Sequence, residues 1–98
     1  MLEELDFPPE IKRALDALGQ EKRRKIISFI INKKKMSFSD LVEDTNLNSS
    51  TLNFHLKKLM KASLINNYYS KSVNPGRKYS YYKLSDFGKD FCKALGIK

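Results

Sequence analysis

The chain has 98 residues, 19 of them basic and 11 acidic, for a net charge of +8, and a single cysteine. That length suits one domain with one modest core, and a composition 41% hydrophobic and 31% charged argues against disorder. Cys92 alone excludes an internal disulfide and a cysteine-based metal cluster, and the basic excess favours a polyanion over a small acidic substrate as the partner.

Residues 1–9 read as an N-terminal arm in which Leu2, Leu5 and Phe7 lie among Glu3, Glu4 and Asp6. Acids stand where a secretory leader has bases, and no apolar run is long enough to span a bilayer, so a cytoplasmic location without a membrane partner is expected. Pro8-Pro9-Glu10 opens a first helix, since proline is tolerated in the first turn and an acid faces the positive end of the helix dipole. Ile11, Ala14, Leu15 and Leu18 recur at helical spacing, and Gly19 is the expected stop. A second helix is predicted from Glu21 to Lys33, with Ile26, Ile27, Ile30 and Ile31 as its apolar stripe. Lys33, Lys34 and Lys35 suit its C-terminal end. Lys22-Arg23-Arg24-Lys25 sit at the wrong end for the dipole, so phosphate or a carboxylate partner is the expectation there.

Met36 to Phe38 suggest a short strand. Ser39 is the expected cap of a third helix running from Asp40 to Thr45, with Asn46 in a left-handed turn and Leu47 plugging it. Asn48 or Ser49 then caps a fourth helix, Ser50 to Ala62. On it Leu52, Leu56, Leu59 and Met60 share an apolar face, while Ser50, Asn53, Phe54, Lys57, Lys58 and Lys61 occupy the other. Two helices joined by a tight turn, residues 39–62, make a helix-turn-helix. Leu64 to Val73 and Lys78 to Leu84 read as the strands of a hairpin, residues 64–84, around a type II turn at Asn74-Pro75-Gly76-Arg77. Either Tyr79 and Tyr81 or Tyr82 and Leu84 should face the core. Ser85-Asp86 cap a last helix, 86–95, whose Phe87, Phe91 and Leu95 form one stripe and whose Gly88 is a weak point.

From Thr45 to Ser85 the chain has no Asp or Glu, against Lys57, Lys58, Lys61, Lys71, Arg77, Lys78 and Lys83. A surface that only keeps a protein soluble mixes both signs, so this stretch looks like a footprint for nucleic acid. Residues 1–20 instead carry five acids and two bases. His55 is read as a structural residue at the edge of the apolar face, and Cys92 as a small core residue. No catalytic constellation, metal site or cofactor site is expected.

The order of elements and four segments resemble the winged helix-turn-helix regulators of the ArsR/MarR-like type. The segments are Ala17-Leu18-Gly19 with Arg23 and Ile26-Ile27, Ser37 to Leu41, Ser50 to Leu59, and Tyr81 to Gly88. The resemblance covers about residues 14–95. It implies a mainly α (α+β) single domain, residues 1–98, with a two-stranded wing and flanking N- and C-terminal helices. It also implies a double-stranded DNA-binding regulator, a repressor, acting as a homodimer through its N- or C-terminal helices or both. Ser49, Ser50, Thr51, Asn53, Phe54, Lys57, Lys58 and Lys61 would contact DNA, with Lys71, Arg77 and Lys78 in the wing. Ser63 stands where the family has glycine, Phe54 where a polar residue is common, and Leu41-Val42-Glu43-Asp44 lacks the metal-sensing thiols. The competing readings are a winged-helix protein-interaction module and an architectural nucleic-acid binder without sequence preference.

Overall fold

The computed structural model describes the backbone of residues 7–71 and 78–98 and the side chains of residues 7–69 and 80–98. The order is α1 (Pro9–Ala17), α2 (Glu21–Lys33), β1 (Met36–Ser37), α3 (Phe38–Thr45), α4 (Ser49–Lys61), β2 (Ile65–Lys71), β3 (Lys78–Leu84) and α5 (Asp86–Leu95). The architecture is a winged helix: helices packed over a small antiparallel sheet. The sheet has three strands in the order β1-β3-β2, so the two-stranded wing gains β1 at the edge of β3. Met36 pairs with Tyr82 and Ile65 with Leu84 in this register. Tyr82 and Leu84 therefore face the core, and Tyr81 and Lys83 the outer side. The turn at 74–77 lies outside the described residues. No helix among the described residues is long and apolar enough to cross a membrane.

The core draws on every helix and strand: Ala14 and Leu18, Ile26, Ile27 and Ile30, Met36, Leu41, Leu52, Leu56 and Leu59, Ile65, Tyr82 and Cys92. Burial raises the pKa of the Cys92 thiol and keeps it protonated. Met60, expected on the inner face of α4, is only half-buried.

Several boundaries differ from expectation by one or two residues, each for a local reason. Ser37, not Ser39, caps α3. Its Oγ accepts the Asp40 N–H at 3.1 Å, and the Asp40 carboxylate accepts the Ser37 N–H at 3.4 Å. This reciprocal box puts the acid at the third helical position, so the helix starts at Phe38 and Ser39 is an exposed first-turn residue. Asn48 caps α4 by accepting the Thr51 N–H at 2.8 Å, which moves that helix to Ser49–Lys61. Only Lys33 lies in the last turn of α2. Lys34 adopts φ 70°, and the Lys35 ammonium sits 5.0 Å from the Tyr81 ring centroid.

α4 stops by a left-handed residue. Ser63 has φ 62°, its N–H donates to the Met60 carbonyl at 2.9 Å, and the Leu64 N–H donates to the Leu59 carbonyl at 3.1 Å. The strand begins at Ile65 rather than Leu64 because Leu64 still completes this cap. A serine in that conformation is strained where glycine is not. Ser63→Gly should raise stability by about 0.5–1 kcal/mol, the relief of strain exceeding the added unfolded-chain entropy. Thermal unfolding checks this, and a lower melting temperature would show that the serine side chain matters more than its backbone strain.

Gly88 corrects the reading of a weak point. Ser85 Oγ accepts the Gly88 N–H at 2.8 Å and starts α5. The Ser85 N–H donates to the Leu64 carbonyl at 3.0 Å and its hydroxyl to the Ser63 carbonyl at 2.6 Å, binding α5 to the end of α4. In that arrangement a Cβ on Gly88 would collide with the Leu64 carbonyl, so α5 can pack here only because residue 88 has none. The α5 stripe is incompletely covered: Phe87 and Phe91 are half-buried and Leu95 is 48% exposed.

Candidate nucleic-acid interface

The turn between α3 and α4 is built from its own sequence. Asn46 takes φ 59°, as anticipated, and its N–H donates to the Val42 carbonyl at 3.0 Å. Thr45 Oγ1 accepts the Leu47 N–H at 3.3 Å while Leu47 packs against the core. These contacts fix the angle at which α4 leaves α3. Leu52, His55, Leu56 and Leu59 anchor the inner face of α4.

Its outer face holds Ser50, Asn53, Phe54, Lys57, Lys58 and Lys61 exposed, with Ser49 exposed at the first position and Thr51 half-buried. These predicted residues are brought together on one continuous surface, and no acid interrupts it. The described acids of the helix-turn-helix, Asp40, Glu43 and Asp44, all lie on α3. Asp44 there meets Lys33 at 3.9 Å. Phe54 is 53% exposed and meets the His55 ring edge-on, centroids 5.4 Å apart, with the Lys58 ammonium 5.6 Å from its ring centroid.

On the outer side of the sheet Tyr68 stacks on Tyr81, centroids 5.9 Å apart, and Lys83 lies 5.4 Å from the Tyr68 ring centroid. Lys71 and Lys78 pair across the last described rung of the hairpin. Their side chains, and Arg77 altogether, lie outside the described residues.

At the basic start of α2, Arg23 and Arg24 meet backbone carbonyls, partners that the sequence reading did not name. Arg23 Nε donates to the Ala17 carbonyl at 2.6 Å, and an Arg24 terminal nitrogen donates to the Leu18 carbonyl at 2.7 Å. Both cations thus sit at the C-terminal end of α1, where helix carbonyls are unpaired and the dipole is negative. Arg23 is buried, 8% exposed, and a terminal nitrogen also lies 3.3 Å from His55 Nδ1. A guanidinium offers only donors, so Nδ1 must accept and the imidazole is neutral with its proton on Nε2. Arg23 therefore links α1, α2 and α4 through one side chain. The sequence held a signal for it, since position 23 precedes Ile26, Ile27 and Ile30 at helical spacing and belongs to their stripe.

Burial lowers the His55 pKa from its usual 6.5, and the charges of Arg23 and Lys22 lower it further. The unfolded chain accepts a proton near pH 6.5 while the folded one resists it, so stability is complete above that pH and falls as pH drops toward the native pKa. The melting temperature should decline between about pH 7.5 and 5.5, a window above ordinary carboxylate titration. A His55→Gln variant should flatten that decline, and an unchanged slope would assign it to other groups. Among the described residues no group of three or more His, Cys, Asp or Glu converges as a metal site.

Residues 20–67 match the model of the bacterial regulatory protein arsR family. Comparison with curated protein sequences gives no match. Among solved structures the fold is similar to a transcriptional regulator homologue from Pyrococcus horikoshii OT3, with TM-score 0.70 and 24% identity over 90% of this chain and 87% of that one. It is also similar to the transcriptional regulator HlyU from Vibrio vulnificus CMCP6, with TM-score 0.66 and 26% identity over 88% and 83%. A third is the homodimeric winged helix-turn-helix DNA-binding domain Mb0332 from Mycobacterium bovis, a possible ArsR-family regulator, with TM-score 0.73 and 15% identity over 90% and 76%.

Proposed function

We propose that this chain, whose residues 20–67 match the model of the bacterial regulatory protein arsR family, is a DNA-binding transcriptional regulator rather than an enzyme, a repressor that binds double-stranded DNA sequence-specifically as a homodimer. The observation that supports this reading best is the outer face of α4, which is exposed, acid-free and held rigidly from behind. In the major groove Asn53 and Ser50 would pair with base edges, Phe54 would meet a thymine methyl, and Lys57, Lys58 and Lys61 would bind phosphates. Ser49 and Thr51 would approach the backbone from the first turn. Lys71, Arg77 and Lys78 would extend the contact through the wing.

Two α4 helices about 34 Å apart would read a pseudo-palindromic site. Phe7 (49% exposed), Leu15 (38%) and Leu95 (48%) favour a dimer through the terminal elements, beside the half-covered Phe87 and Phe91. The homodimeric Mycobacterium bovis domain has the same fold. Repression then requires only that the bound dimer block access to its site.

Selection of bound duplexes from a random pool at about 0.15 M salt tests this. An inverted repeat with half-sites one helical turn apart is the expected result. Binding without a motif that disappears as salt rises would support an architectural role instead, and no binding would support an interaction module. On the selected site Asn53→Ala should lose discrimination at one base pair, about 1–3 kcal/mol. Lys57→Ala should weaken all sequences alike and lower the salt slope by about one. Equal loss on every sequence for Asn53→Ala would remove it from base reading.

A further inference from the structure

We propose that the groove between α2, β3 and α5 binds a fatty acid, with the acyl chain along its floor and the carboxylate among the lysines of its rim. Two adjoining hollows of about 300 and 460 Å³ make up the groove, joined at Ile31, Leu84 and Lys89. Each is of the size of a small-molecule site. Its floor follows from three local features. The isoleucine stripe of α2 supplies Ile30 and Ile31, and the inward alternation of β3 supplies Leu84. At the end of α5, Gly96 turns left-handed at φ 73° and the Ile97 N–H donates back to the Cys92 carbonyl at 2.9 Å. That turn lays Ile97 against the core beside Cys92 and closes one end of the floor. No lining residue lies on α4, so this site stands apart from the DNA-binding function proposed above.

Two features point to the two halves of the ligand. Lys34, Lys83, Lys89 and Lys93 stand around the floor, and the lining includes no acidic side chain. The acids of α5, Asp86 and Asp90, lie outside it. Like charges gathered about one hollow repel each other, and a carboxylate among them relieves that repulsion. The lysine stems add apolar walls while their ammonium groups stay in water. The floor itself is recessed: Ile30 and Cys92 are buried, Leu84 is 9% exposed, and Ile31 and Ile97 are half-buried. Recessed side chains cannot insert into a bilayer, so an apolar partner has to enter the groove as a single chain. Inorganic phosphate would satisfy the lysines and leave the floor wet, and a neutral hydrocarbon would do the reverse. A monomeric fatty acid does both, since each methylene it removes from water adds to binding.

The test is an amide NMR titration of the full chain with dodecanoate, kept below its micelle concentration. Saturable shifts at Ile31, Leu84, Lys89, Cys92 and Ile97, with Asn53 and Lys57 unmoved, and a Kd near or below about 1 mM are expected. Affinity should climb at least about three-fold at each step from octanoate to decanoate to dodecanoate, because each step buries two more methylenes. Dodecyltrimethylammonium, with the chain and the opposite charge, and acetate, with the charge and no chain, should each bind at least about ten-fold more weakly than dodecanoate. Lys89→Glu should weaken dodecanoate at least about five-fold with the fold intact by circular dichroism. Lys25→Glu, which changes the net charge equally at an exposed position outside the groove, should leave the affinity unchanged. No saturation by about 10 mM, equal binding of the cationic amphiphile, or shifts spread over every element would overturn the site. Shifts that require phosphatidylglycerol vesicles and are absent with monomeric dodecanoate would assign the lysines to a membrane surface and overturn it as well.

Discussion

Gly88→Ala is expected to destabilise the protein by about 3 kcal/mol, the upper part of the range for forcing an extra methyl into a packed site. The obstacle is main chain: the added Cβ meets the Leu64 carbonyl and crowds the Leu64 Cα behind it, with no flexible side chain to yield. That same carbonyl accepts the Ser85 N–H, so moving α5 away from Leu64 also disturbs the start of the helix. At this chain length the melting temperature should fall by roughly 12–20 °C. Lys89→Ala, exposed on the same helix, should stay within about 0.5 kcal/mol. Thermal or urea unfolding of both variants decides the matter. A wild-type midpoint for Gly88→Ala would mean that α5 can leave Leu64 without cost.

Arg23→Met should cost a similar amount, about 3 kcal/mol, because it removes a buried charge-assisted donor from two acceptors at once. The Ala17 carbonyl and His55 Nδ1 lose the contacts they make at 2.6 and 3.3 Å. Methionine retains most of the apolar stem, so lost packing is a small part of the effect. Arg24→Met is the comparison, since Arg24 is exposed and serves one carbonyl, and about 1 kcal/mol is expected for it. Removing the Arg23 charge should also let the His55 pKa rise and shrink the stability lost between about pH 7.5 and 5.5, because burial would remain but the repulsion would not. Adding His55→Phe to Arg23→Met should cost less than the two changes separately, as both partners are then apolar. Equal losses for the Arg23 and Arg24 variants would show that Arg23 is only one more cap on α1.

Elements with a strong local signature are legible in the sequence. Isoleucine spacing locates α2, Pro8-Pro9 and Asn46 locate a start and a turn, and Lys78–Leu84 is the third strand as anticipated. The outer face of α4 is legible too, because 100° per residue sorts Leu52, Leu56 and Leu59 from Asn53, Lys57 and Lys61 without reference to the rest of the chain. Caps are harder. Ser37 and Ser39 are both good cap residues, and only the reciprocal bond with Asp40 distinguishes them.

Local sequence was enough to set most elements, their order and the acid-free basic surface, since periodicity, turn chemistry and charge are local properties, and the resemblance of four segments to known regulators implied the winged-helix class. The roles of Gly88, Arg23 and Ile31 came only from the way the segments pack. Helix propensity counts about 1 kcal/mol against Gly88, and the approach of Leu64, 24 positions away, reverses that judgement. Helical spacing puts Arg23 on the stripe of Ile26, Ile27 and Ile30, but the partners that make it an interior hub, the end of α1 and a histidine on α4, are supplied by packing. Ile31 lies on the apolar stripe of α2, and only the seating of β3 and α5 beside it makes it the floor of a lysine-rimmed groove. Each of these roles depends on what a distant segment brings within a few ångströms, and sequence spacing carries no record of that.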